Sequence, residues 1–313
     1  MIVWNGIQRY PEGSEAVVAT IGNFDGVHAG HRAIVASALR DGRRRGLRVV
    51  LVTFDPHPLA VVDPLRKPRL LQTRRQKLDA LEATGLDGVL VLRFDATLAS
   101  TSAEAFFTEV LAPRLRLAAL HVGESFRFGR GREGELELLR RIGAATGFEV
   151  VGVPSVRIDG ELVSSSSIRR RVEEGDVEHA RRMLSRPFAV TGEVVRGEGR
   201  GATLDFPTAN VAFENELLPR RGVYVTQSVT LALRLPSVTN VGVRPTFGGS
   251  EVVVESHLID FAEDLYGERM EVRFLARIRD EKKFTSGNEL ADQIARDRAA
   301  AVAFFRNIEP TVR

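Results

Sequence analysis

The sequence predicts an α/β chain in which a parallel sheet covered by helices is followed by a small antiparallel β-barrel with a C-terminal helix. As far as Val153, strand and helix patterns alternate at the spacing of βαβ units, which pair into parallel sheets. From Phe188 on, short strands follow one another across glycine-rich turns without a helical pattern between them, as in small barrels. The 313 residues suffice for two domains, which we place at 1–184 and 185–313.

The elements of the first domain follow from the period of their apolar residues. Continuous β-branched runs are typical of buried parallel strands, and apolar residues three and four apart are typical of helices. We predict strands at 16–21, 47–54, 88–92, 118–122 and 148–153. Helices are predicted at 32–40, 73–83 and 133–145. A capping box at 101–104 opens a further helix, which ends near Leu111.

The second domain reads as strands closed by one helix. A helix at 178–184 precedes it, and we interpret this helix as the linker between the domains. The strands predicted after it are 189–195, 223–229, 238–243, 252–259 and 270–278. A capping box at 286–289 then opens the last helix, whose apolar side carries Leu290, Ile294 and Phe305.

The composition excludes several classes of protein. There is no cysteine, so disulfides, thiolate zinc sites and cysteine nucleophiles are ruled out. With 44 basic and 41 acidic residues the net charge is +3, which is too balanced for a dedicated nucleic-acid binder. The sequence shows no signal-peptide pattern and no apolar run of membrane-spanning length. We therefore expect a cytoplasmic protein without a membrane or nucleic-acid partner.

A strand, a glycine-rich turn and a helix start follow one another at residues 16–31. The strand stops at Gly22, and the free backbone N–H groups at the start of the next helix favour a phosphate. Glycines at 22, 26 and 30 let the backbone approach a ligand closely. His28 and His31 are three residues apart, so both rings can face that ligand. A solvated turn is the alternative for each residue alone, and a metal pair is disfavoured because no third ligand is evident.

Two further motifs of the first domain bear on phosphate and dinucleotide binding. Ser164, Ser165 and Ser166 precede a helical stretch with Arg169 one turn on, and their hydroxyls either cap that helix or hold phosphate oxygens. The stretch 129–134 satisfies GxGxxG before a helix. It follows the fourth strand rather than the first, which disfavours a dinucleotide-binding fingerprint.

In the second domain, a loop at 197–201 and the motif at 206–210 are suited to a nucleotide. The loop is rich in glycine, and its backbone N–H groups can wrap a polyphosphate. Thr208 and Asn210 offer the hard oxygen ligands that Mg²⁺ binds. The pattern GxxxxGK[ST] is absent, so a kinase here is not of the P-loop type. Glu255 lies in a predicted strand, where a solvated carboxylate is the ordinary interpretation.

Eight stretches, in one order along the whole chain, carry more information than any single motif. They are GNFDGVHAGH (22–31), VTFDPHP (52–58), VGESFRFG (122–129), SSSSIR (164–169), GEGRGATLDFPTAN (197–210), GVY (222–224), NVGVRPTFGG (240–249) and the tail at 254–284. Together they resemble the bacterial bifunctional riboflavin kinase/FAD synthetase family. The resemblance implies phosphorylation of riboflavin to FMN, followed by adenylylation of FMN to FAD.

For the first domain, the resemblance implies a nucleotidylyltransferase-like fold that adenylylates FMN by positioning and electrostatics. His28 and His31 would stabilise the ATP phosphates as charge develops on pyrophosphate, and with Arg169 they are the implied catalytic residues. The implied ATP-binding residues are Gly22, Asn23, His28, His31, Ser164, Ser165, Ser166 and Arg169. The implied flavin-binding residues are Phe54, Ser125, Phe126 and Phe128.

For the second domain, the resemblance implies transfer of a phosphoryl group from ATP to the ribityl 5′-hydroxyl of riboflavin, with Mg²⁺ as cofactor. Glu255 is the implied catalytic base, and Thr208 and Asn210 are the implied metal ligands. The implied ATP-binding residues are Gly197, Gly199, Arg200, Gly201, Thr208 and Asn210. The implied partners are the small molecules riboflavin, FMN and ATP.

The sequence departs from the family's pattern at four places. Ser125 stands where Asn or Asp is usual, Ser166 stands where Thr is usual, and the segment 226–237 is shorter than usual. Asp205 replaces the usual Gly and brings a negative charge toward the phosphates. Two alternatives follow: an FMN adenylyltransferase with a weakened kinase barrel, and a non-catalytic flavin or nucleotide sensor. The intact site residues argue against the sensor.

Overall fold

The computed structural model describes residues 1–197, 207–246 and 249–308 of the chain. By its internal contacts the chain divides into two compact units, residues 1–70 with 74–165 and residues 71–73 with 166–313. This division falls earlier than the domain boundary predicted at 184/185, because the helices at 166–184 belong with the second unit. The boundary at 184/185 stays a prediction.

The first unit contains a six-stranded parallel sheet. Its strands are β1 (Ile2–Asn5), β2 (Val17–Ile21), β3 (Arg48–Asp55), β4 (Gly88–Arg93), β5 (Leu117–Gly123) and β6 (Glu149–Val153). They are hydrogen-bonded in the order β1-β4-β3-β2-β5-β6, and the short antiparallel pair β7 (Arg157–Ile158) and β8 (Glu161–Leu162) follows them in the chain. The five predicted strands are confirmed. β1 was not predicted, because four residues are too few to show a period.

Helices cover both faces of this sheet. They are α1 (Ala29–Arg45), α2 (Leu59–Val62), α3 (Arg74–Glu82), α4 (Ala96–Ser100), α5 (Ala103–Ala105) and α6 (Leu136–Thr146). The capping box predicted at 101–104 is wrong by one residue, because Ser102 is the N-cap and its Oγ accepts the Ala105 N–H at 3.2 Å. After α5 the chain continues as the π-helical segment Phe106–Leu111.

Two apolar layers hold the helices to the sheet. On β3, Val52 packs in one layer, and Leu51 packs in the other with Val35 of α1. Successive side chains of a strand point to opposite faces. At the end of β3, Thr53 therefore continues the face toward α1, and Phe54 continues the opposite face.

A buried polar cluster fixes α1 to β5. His121 lies with Nδ1 3.0 Å from Ser37 Oγ and with Nε2 3.1 Å from Asp41 Oδ2. Arg44 and Arg45 donate to Asp41 Oδ1 at 2.6 and 2.9 Å. Burial by itself raises the pKa of Asp41, but the hydrogen bonds from Arg45, Arg44 and His121 outweigh it and hold that pKa well below its usual range. The cluster thereby sets where α1, and with it the helix start, lies on the sheet.

The second unit contains a closed antiparallel barrel. Its strands are β9 (Phe188–Val195), β10 (Ala209–Phe213), β11 (Gly222–Val229), β12 (Arg234–Thr246), β13 (Gly249–Leu258) and β14 (Arg269–Arg279), in the closed order β10-β13-β12-β11-β14-β9. Helices α7 (Ser165–Glu174) and α8 (Val177–Leu184) precede the barrel, and α9 (Gly287–Ile308) follows it. The predicted barrel and final helix are confirmed. β10 was missed, because its first two residues, Ala209 and Asn210, were interpreted only as part of a binding motif.

Helix α9 packs on the outside of the barrel. Among the described residues, no helix combines the length and the apolar character that crossing a bilayer requires. Ser286 caps α9, since its Oγ accepts the Glu289 N–H at 3.2 Å, as the capping box predicts. Phe305 of α9 packs with Val223 and Val225 of β11. The short segment 226–237 forms a tight hairpin, in which Val229 of β11 pairs with Arg234 of β12.

Five buried hydroxyl groups form a closed ring inside the barrel. They belong to Thr226, Ser228, Ser237, Thr239 and Ser256, each at most 1% exposed. Each hydroxyl contacts two others at 2.7 to 3.0 Å, so that the five hydrogen bonds close on themselves. A hydroxyl can donate one bond and accept others, so every member is satisfied within the ring.

Candidate active sites

The turn at residues 22–28 lies where the order of the parallel sheet changes direction. β3 lies on one side of β2 and β5 on the other, and ligands of such sheets bind at the carboxyl ends of the strands beside this point. Phe24 and Val27 are buried and have φ angles of 51° and 39°, which are rare for residues other than glycine. Each such residue costs about 1–3 kcal/mol, so surrounding contacts must hold the turn in this conformation.

His28 and His31 form one structural group at the start of α1. His28 is the N-cap, and its Nδ1 accepts the backbone N–H of His31 at 3.3 Å. The two rings stack with their centroids 3.6 Å apart. A Cβ on Gly30 would lie 3.2 Å from the His28 ring, so this glycine leaves room for the ring. Because Nδ1 accepts, neutral His28 carries its proton on Nε2.

Three contacts tie the turn to other segments of the first unit. The side-chain nitrogen Nδ2 of Asn23 lies 3.3 Å from His57 Nε2. Thr53 Oγ1 donates to the Asn23 carbonyl oxygen at 3.2 Å. Ser165 Oγ donates to the Asp25 carbonyl oxygen at 2.8 Å. The turn is therefore held from β3, from the segment after β3, and from the first residue of α7.

The structure gathers some of the predicted ATP-binding residues around this turn, namely Gly22, Asn23, His28, His31 and Ser165. Ser164 directly precedes α7, whereas Ser166 and Arg169 lie within α7 in the second unit. The part of Ser164, Ser166 and Arg169 in this site stays a prediction. Thr53 and His57 were not predicted, although the stretch 52–58 was recognised, because the sequence does not show which of its side chains face Asn23.

A row of phenylalanine rings lies in the apolar layer opposite α1. Phe54 is 6.3 Å from Phe106 between centroids, and Phe126 stacks on Phe128 at 5.4 Å. Phe107 joins the two pairs, since its ring contacts both Phe106 and Phe128. Phe54 and Phe126 are partly exposed, whereas Phe128 is only 8% exposed. A planar aromatic ligand can therefore reach the first two rings.

The predicted flavin-binding residues thus differ in accessibility. Ser125 is exposed beside Phe126, and Phe128 supports the Phe126 ring from behind. Phe106 and Phe107 complete the row but were not predicted, because in the sequence they read as the apolar side of a helix. Their contribution depends on which rings meet in three dimensions, and nothing in the local pattern indicates it.

The GxGxxG stretch at 129–134 forms a closed loop. Phe128 and Gly134 exchange backbone hydrogen bonds of 3.1 and 2.9 Å, and α6 begins only at Leu136. Gly129 packs against Ala103, where a Cβ would come within 2.6 Å of the Ala103 nitrogen. A dinucleotide fingerprint needs a strand, a tight turn and a helix in succession. This geometry agrees with the interpretation that disfavours a dinucleotide site.

In the second unit, three polar residues lie side by side on neighbouring strands. Glu255 of β13 pairs directly with Asn210 of β10 on one side and with Asn240 of β12 on the other. Directly paired residues share a face and have Cβ atoms about 5 Å apart. Because Ser256 faces the barrel interior, the three side chains lie on the outer face. The structure therefore brings the predicted Glu255 and Asn210 together and adds Asn240, which was not predicted.

The motif at 207–210 is held from two sides. His257 Nδ1 lies 2.9 Å from the Pro207 carbonyl oxygen, so this ring nitrogen donates to the start of the motif. Gly197 backs onto Asn210, since a Cβ on Gly197 would lie 2.5 Å from Asn210 Cγ. Only glycine leaves room for the amide. Three predicted ATP-binding residues, Gly199, Arg200 and Gly201, lie outside the described part of the chain. Asp205, which departs from the family's pattern, lies outside it too.

Two family models match the chain over separate parts of its length. The FAD synthetase model matches residues 10–167, and the riboflavin kinase model matches residues 184–305. The bifunctional riboflavin kinase/FMN adenylyltransferase of Escherichia coli strain K12 is 40% identical over 95% of this chain and 95% of its own. The chain belongs to this family. The family member of the same name from Pseudomonas fluorescens is 39% identical over 91% of this chain and 92% of its own.

A solved structure shares the fold of this family member. It is titled as the crystal structure of a macrolide-efflux protein from Streptococcus pneumoniae. It matches with a TM-score of 0.88 and 28% identity, covering 96% of this chain and 99% of that one. The sheet and the barrel described above therefore recur in a protein whose structure has been solved.

Proposed function

We propose that the chain makes FAD in two steps, phosphorylating riboflavin to FMN and then adenylylating FMN with release of pyrophosphate. The observation that carries this proposal is the presence of two separate polar sites, the turn at 22–28 in one unit and the row around Glu255 in the other. Each site lies in the part that the corresponding family model matches.

Adenylyl transfer is assigned to the turn at 22–28 and the start of α1. An FMN phosphate oxygen attacks the α-phosphorus of ATP, and pyrophosphate leaves with additional negative charge. We assign the binding of that charge to the start of α1 and to the rings of His28 and His31, which stack there. Arg169 and the serines at 164–166 are proposed to hold the remaining phosphate oxygens. No covalent enzyme intermediate is needed, because alignment and charge stabilisation are sufficient.

The flavin is assigned to the aromatic row on the opposite face of the sheet. Phe54 and Phe126 are the accessible rings for an isoalloxazine, and Phe128 keeps Phe126 in place. Stacking on such rings contributes about 0.5–1.5 kcal/mol for each pair beyond the area that it buries. Ser125 is proposed to contact the polar edge of the ring system.

Phosphoryl transfer to riboflavin is assigned to the row around Glu255. Its carboxylate accepts the proton of the ribityl 5′-hydroxyl while that oxygen attacks the γ-phosphorus of ATP, and ADP leaves. Asn210 and Asn240 flank Glu255 on paired strands and are proposed to orient its carboxylate. The loop that contains Gly197, Gly199, Arg200 and Gly201 is proposed to wrap the phosphates of ATP.

Mg²⁺ is the proposed cofactor of the kinase site. The donors fit this ion by their chemistry, because the Thr208 hydroxyl and the Asn210 amide supply hard oxygens beside a carboxylate. When bound, the ion would neutralise part of the phosphate charge. The expected partners are riboflavin, FMN and ATP, and the expected location is the cytoplasm.

A flavin time course tests the proposal. The purified chain is incubated with ATP and Mg²⁺, starting from riboflavin in one reaction and from FMN in another, and the flavins are separated by chromatography. FMN that appears and then gives way to FAD supports both activities. FAD made only from FMN would favour the second candidate, an adenylyltransferase with a weakened kinase, for which the charge of Asp205 is the reason. Absence of product from both reactions would favour a sensor.

A further inference from the structure

Lys77 of α3 is linked by two hydrogen bonds to the turn at 22–28. Its ammonium group donates to Thr53 Oγ1 at 2.7 Å, and Thr53 Oγ1 donates in turn to the Asn23 carbonyl oxygen at 3.2 Å. Thr53 is 1% exposed, so water does not compete for its hydroxyl. Neither Lys77 nor Thr53 is among the residues assigned above to contact ATP or flavin.

Charged side chains of three segments surround the ammonium group. Asp25 lies in the turn, Asp55 ends β3, and Arg74 precedes Lys77 on α3. Arg74 also pairs with Asp55, with Nε 3.2 Å from Oδ2. Two carboxylates near an incoming triphosphate repel it, and a nearby positive charge offsets that repulsion.

The backbone of the turn at 22–28 is strained and needs contacts such as the hydrogen bonds from Lys77 through Thr53 to hold it. Phe24 and Val27 have left-handed φ angles, so the turn relaxes unless neighbouring groups hold it. The Asn23 carbonyl is the backbone atom just before Phe24, and the Thr53 hydroxyl fixes its direction. Relaxation of the turn would displace Asn23 on one side and His28 on the other.

We propose that Lys77 is a positioning residue for adenylyl transfer, which fixes the Asn23 carbonyl through Thr53 and offsets the charge of Asp25 and Asp55 beside the nucleotide. The inference deepens the proposed function and rests on the assignment of adenylyl transfer to this turn.

The protonation of Lys77 gives this role a signature. Burial is the main influence and lowers the pKa of Lys77 to about 8; the carboxylates of Asp25 and Asp55 act in the opposite direction, and Arg74 acts in the same direction as burial. The ammonium form is present below that pH and is lost above it. FMN-to-FAD conversion is therefore expected to decline as the pH rises through about 8.

Substitutions at Lys77 are compared over a range of pH. Lys77→Met keeps the length and removes the charge, so kcat/KM for ATP in FMN-to-FAD conversion is expected to fall about 10- to 100-fold. The decline near pH 8 is expected to disappear in this variant. Lys77→Arg keeps its charge at higher pH and is expected to recover activity and to shift the decline upward. Arg75→Met, at an exposed position of α3, is the matched control and is expected to behave as wild type.

Thr53 supplies an independent test of the link. Thr53→Val keeps the shape and removes the hydroxyl, whereas Thr53→Ser keeps the hydroxyl. Adenylyl transfer is expected to fall in Thr53→Val and to persist in Thr53→Ser. Because Lys77 and Thr53 act in one chain of hydrogen bonds, Lys77→Met with Thr53→Val is expected to be no worse than the more damaging single variant.

Lys77 and Thr53 lie in the first unit, so circular dichroism and the urea midpoint of each variant report whether that unit is folded, and riboflavin-to-FMN conversion in the same preparations reports on the second unit. Wild-type adenylyl transfer in Lys77→Met with an unchanged pH profile would overturn the inference, as would wild-type activity of Thr53→Val. If Lys77→Met loses both activities through misfolding, the Thr53 pair decides. A wild-type chain that makes no FAD from FMN overturns the proposed function and the inference with it, whereas an active wild type with unaffected variants overturns the inference alone.

Discussion

The two proposed sites are built on opposite kinds of backbone. The turn at 22–28 combines two left-handed residues with a histidine cap, and the side chains of Thr53 and Ser165 in the same unit hold it in place. Asn210, Glu255 and Asn240 instead project from strands whose register is fixed by the ladder of the barrel. The first site takes its geometry from individual side-chain contacts, and the second takes it from regular backbone pairing.

This difference determines how each site should respond to substitution. A side chain on a paired strand can be exchanged while the backbone stays in place, because the ladder does not depend on it. A side chain that holds a strained turn cannot be exchanged in this way, because its loss moves the neighbouring backbone as well. Variants of the barrel should separate chemistry from stability cleanly, whereas variants of the turn should change both.

The largest effect is expected for Glu255→Gln. The amide cannot accept the ribityl proton, so FMN formation should fall about 10²- to 10⁴-fold. Conversion of FMN to FAD should survive, because the turn at 22–28 is untouched. Glu251→Gln, at an exposed position of the same strand, is the matched control for both assays. Equal loss of the two activities in Glu255→Gln would contradict the division of labour.

His28→Ala should show the coupling that the turn predicts. FAD formation should fall about 10²- to 10³-fold, because a charge-stabilising group is lost. The lost cap should also lower the free energy of unfolding by about 1 kcal/mol. His28→Asn separates the two roles, since an asparagine caps a helix but lacks the ring: stability should recover while activity stays low. Recovery of both in this variant would show that the cap alone matters.

Gly197→Ala tests whether the barrel site tolerates a shifted side chain. The added methyl overlaps Asn210, whose amide must turn away from Glu255. A displacement of this size should reduce kinase kcat/KM about 10- to 100-fold. FMN-to-FAD conversion serves as the control within the same molecule. Unchanged kinase activity would mean that Asn210 does not contribute to the reaction.

Asp41→Asn should weaken the anchoring of α1, and its effect should depend on pH. Losing hydrogen bonds from charged partners should lower the free energy of unfolding by about 2 kcal/mol at neutral pH. The native pKa of Asp41 lies below its unfolded value, so the carboxylate stabilises the fold above pH about 4 and the contribution fades as the pH falls further. Urea titrations at neutral and acidic pH should show the gap between wild type and variant closing in acid. A gap independent of pH would contradict this.

The smallest effect is expected for Asp205→Gly, which restores the family's usual residue outside the described part of the chain. Removing a negative charge near the phosphates should raise kinase turnover severalfold, as measured by FMN formation under saturating substrates. An unchanged turnover would remove the reason for considering a weakened kinase.

Much of the fold was predictable from the sequence, because long buried strands show as continuous apolar runs. Arg48–Asp55 contains the largely β-branched run VVLVT, and its place in a parallel sheet follows from that pattern. β1 has only four residues, too few to show a period, and β10 begins inside the motif at 206–210, which was interpreted only as a binding motif. The N-cap lies at Ser102 rather than Thr101 for a similar reason, since two adjacent hydroxyl residues offer two possible caps.

Spacing alone predicted site residues only where they are close in sequence, and distant pairs such as Asn210 and Glu255 were implied by the family resemblance. His28 and His31 could be found because three residues separate them on one helix. Asn240 became visible only through the register of β12 with β13, which sets it beside Glu255. Lys77 reaches Asn23 through a third residue, Thr53, and no pattern within α3 indicates that connection.

The ring of five hydroxyls inside the barrel has a consequence for how this part of the chain can evolve. A mutation to valine or alanine at one position leaves two buried neighbours each short of a hydrogen bond, and each such loss costs about 1–3 kcal/mol. A change at all five positions leaves no orphan, so a wholly apolar interior is accessible in principle. Every path from one interior to the other crosses less stable intermediates. We therefore expect selection to keep or to replace these five residues together, namely Thr226, Ser228, Ser237, Thr239 and Ser256.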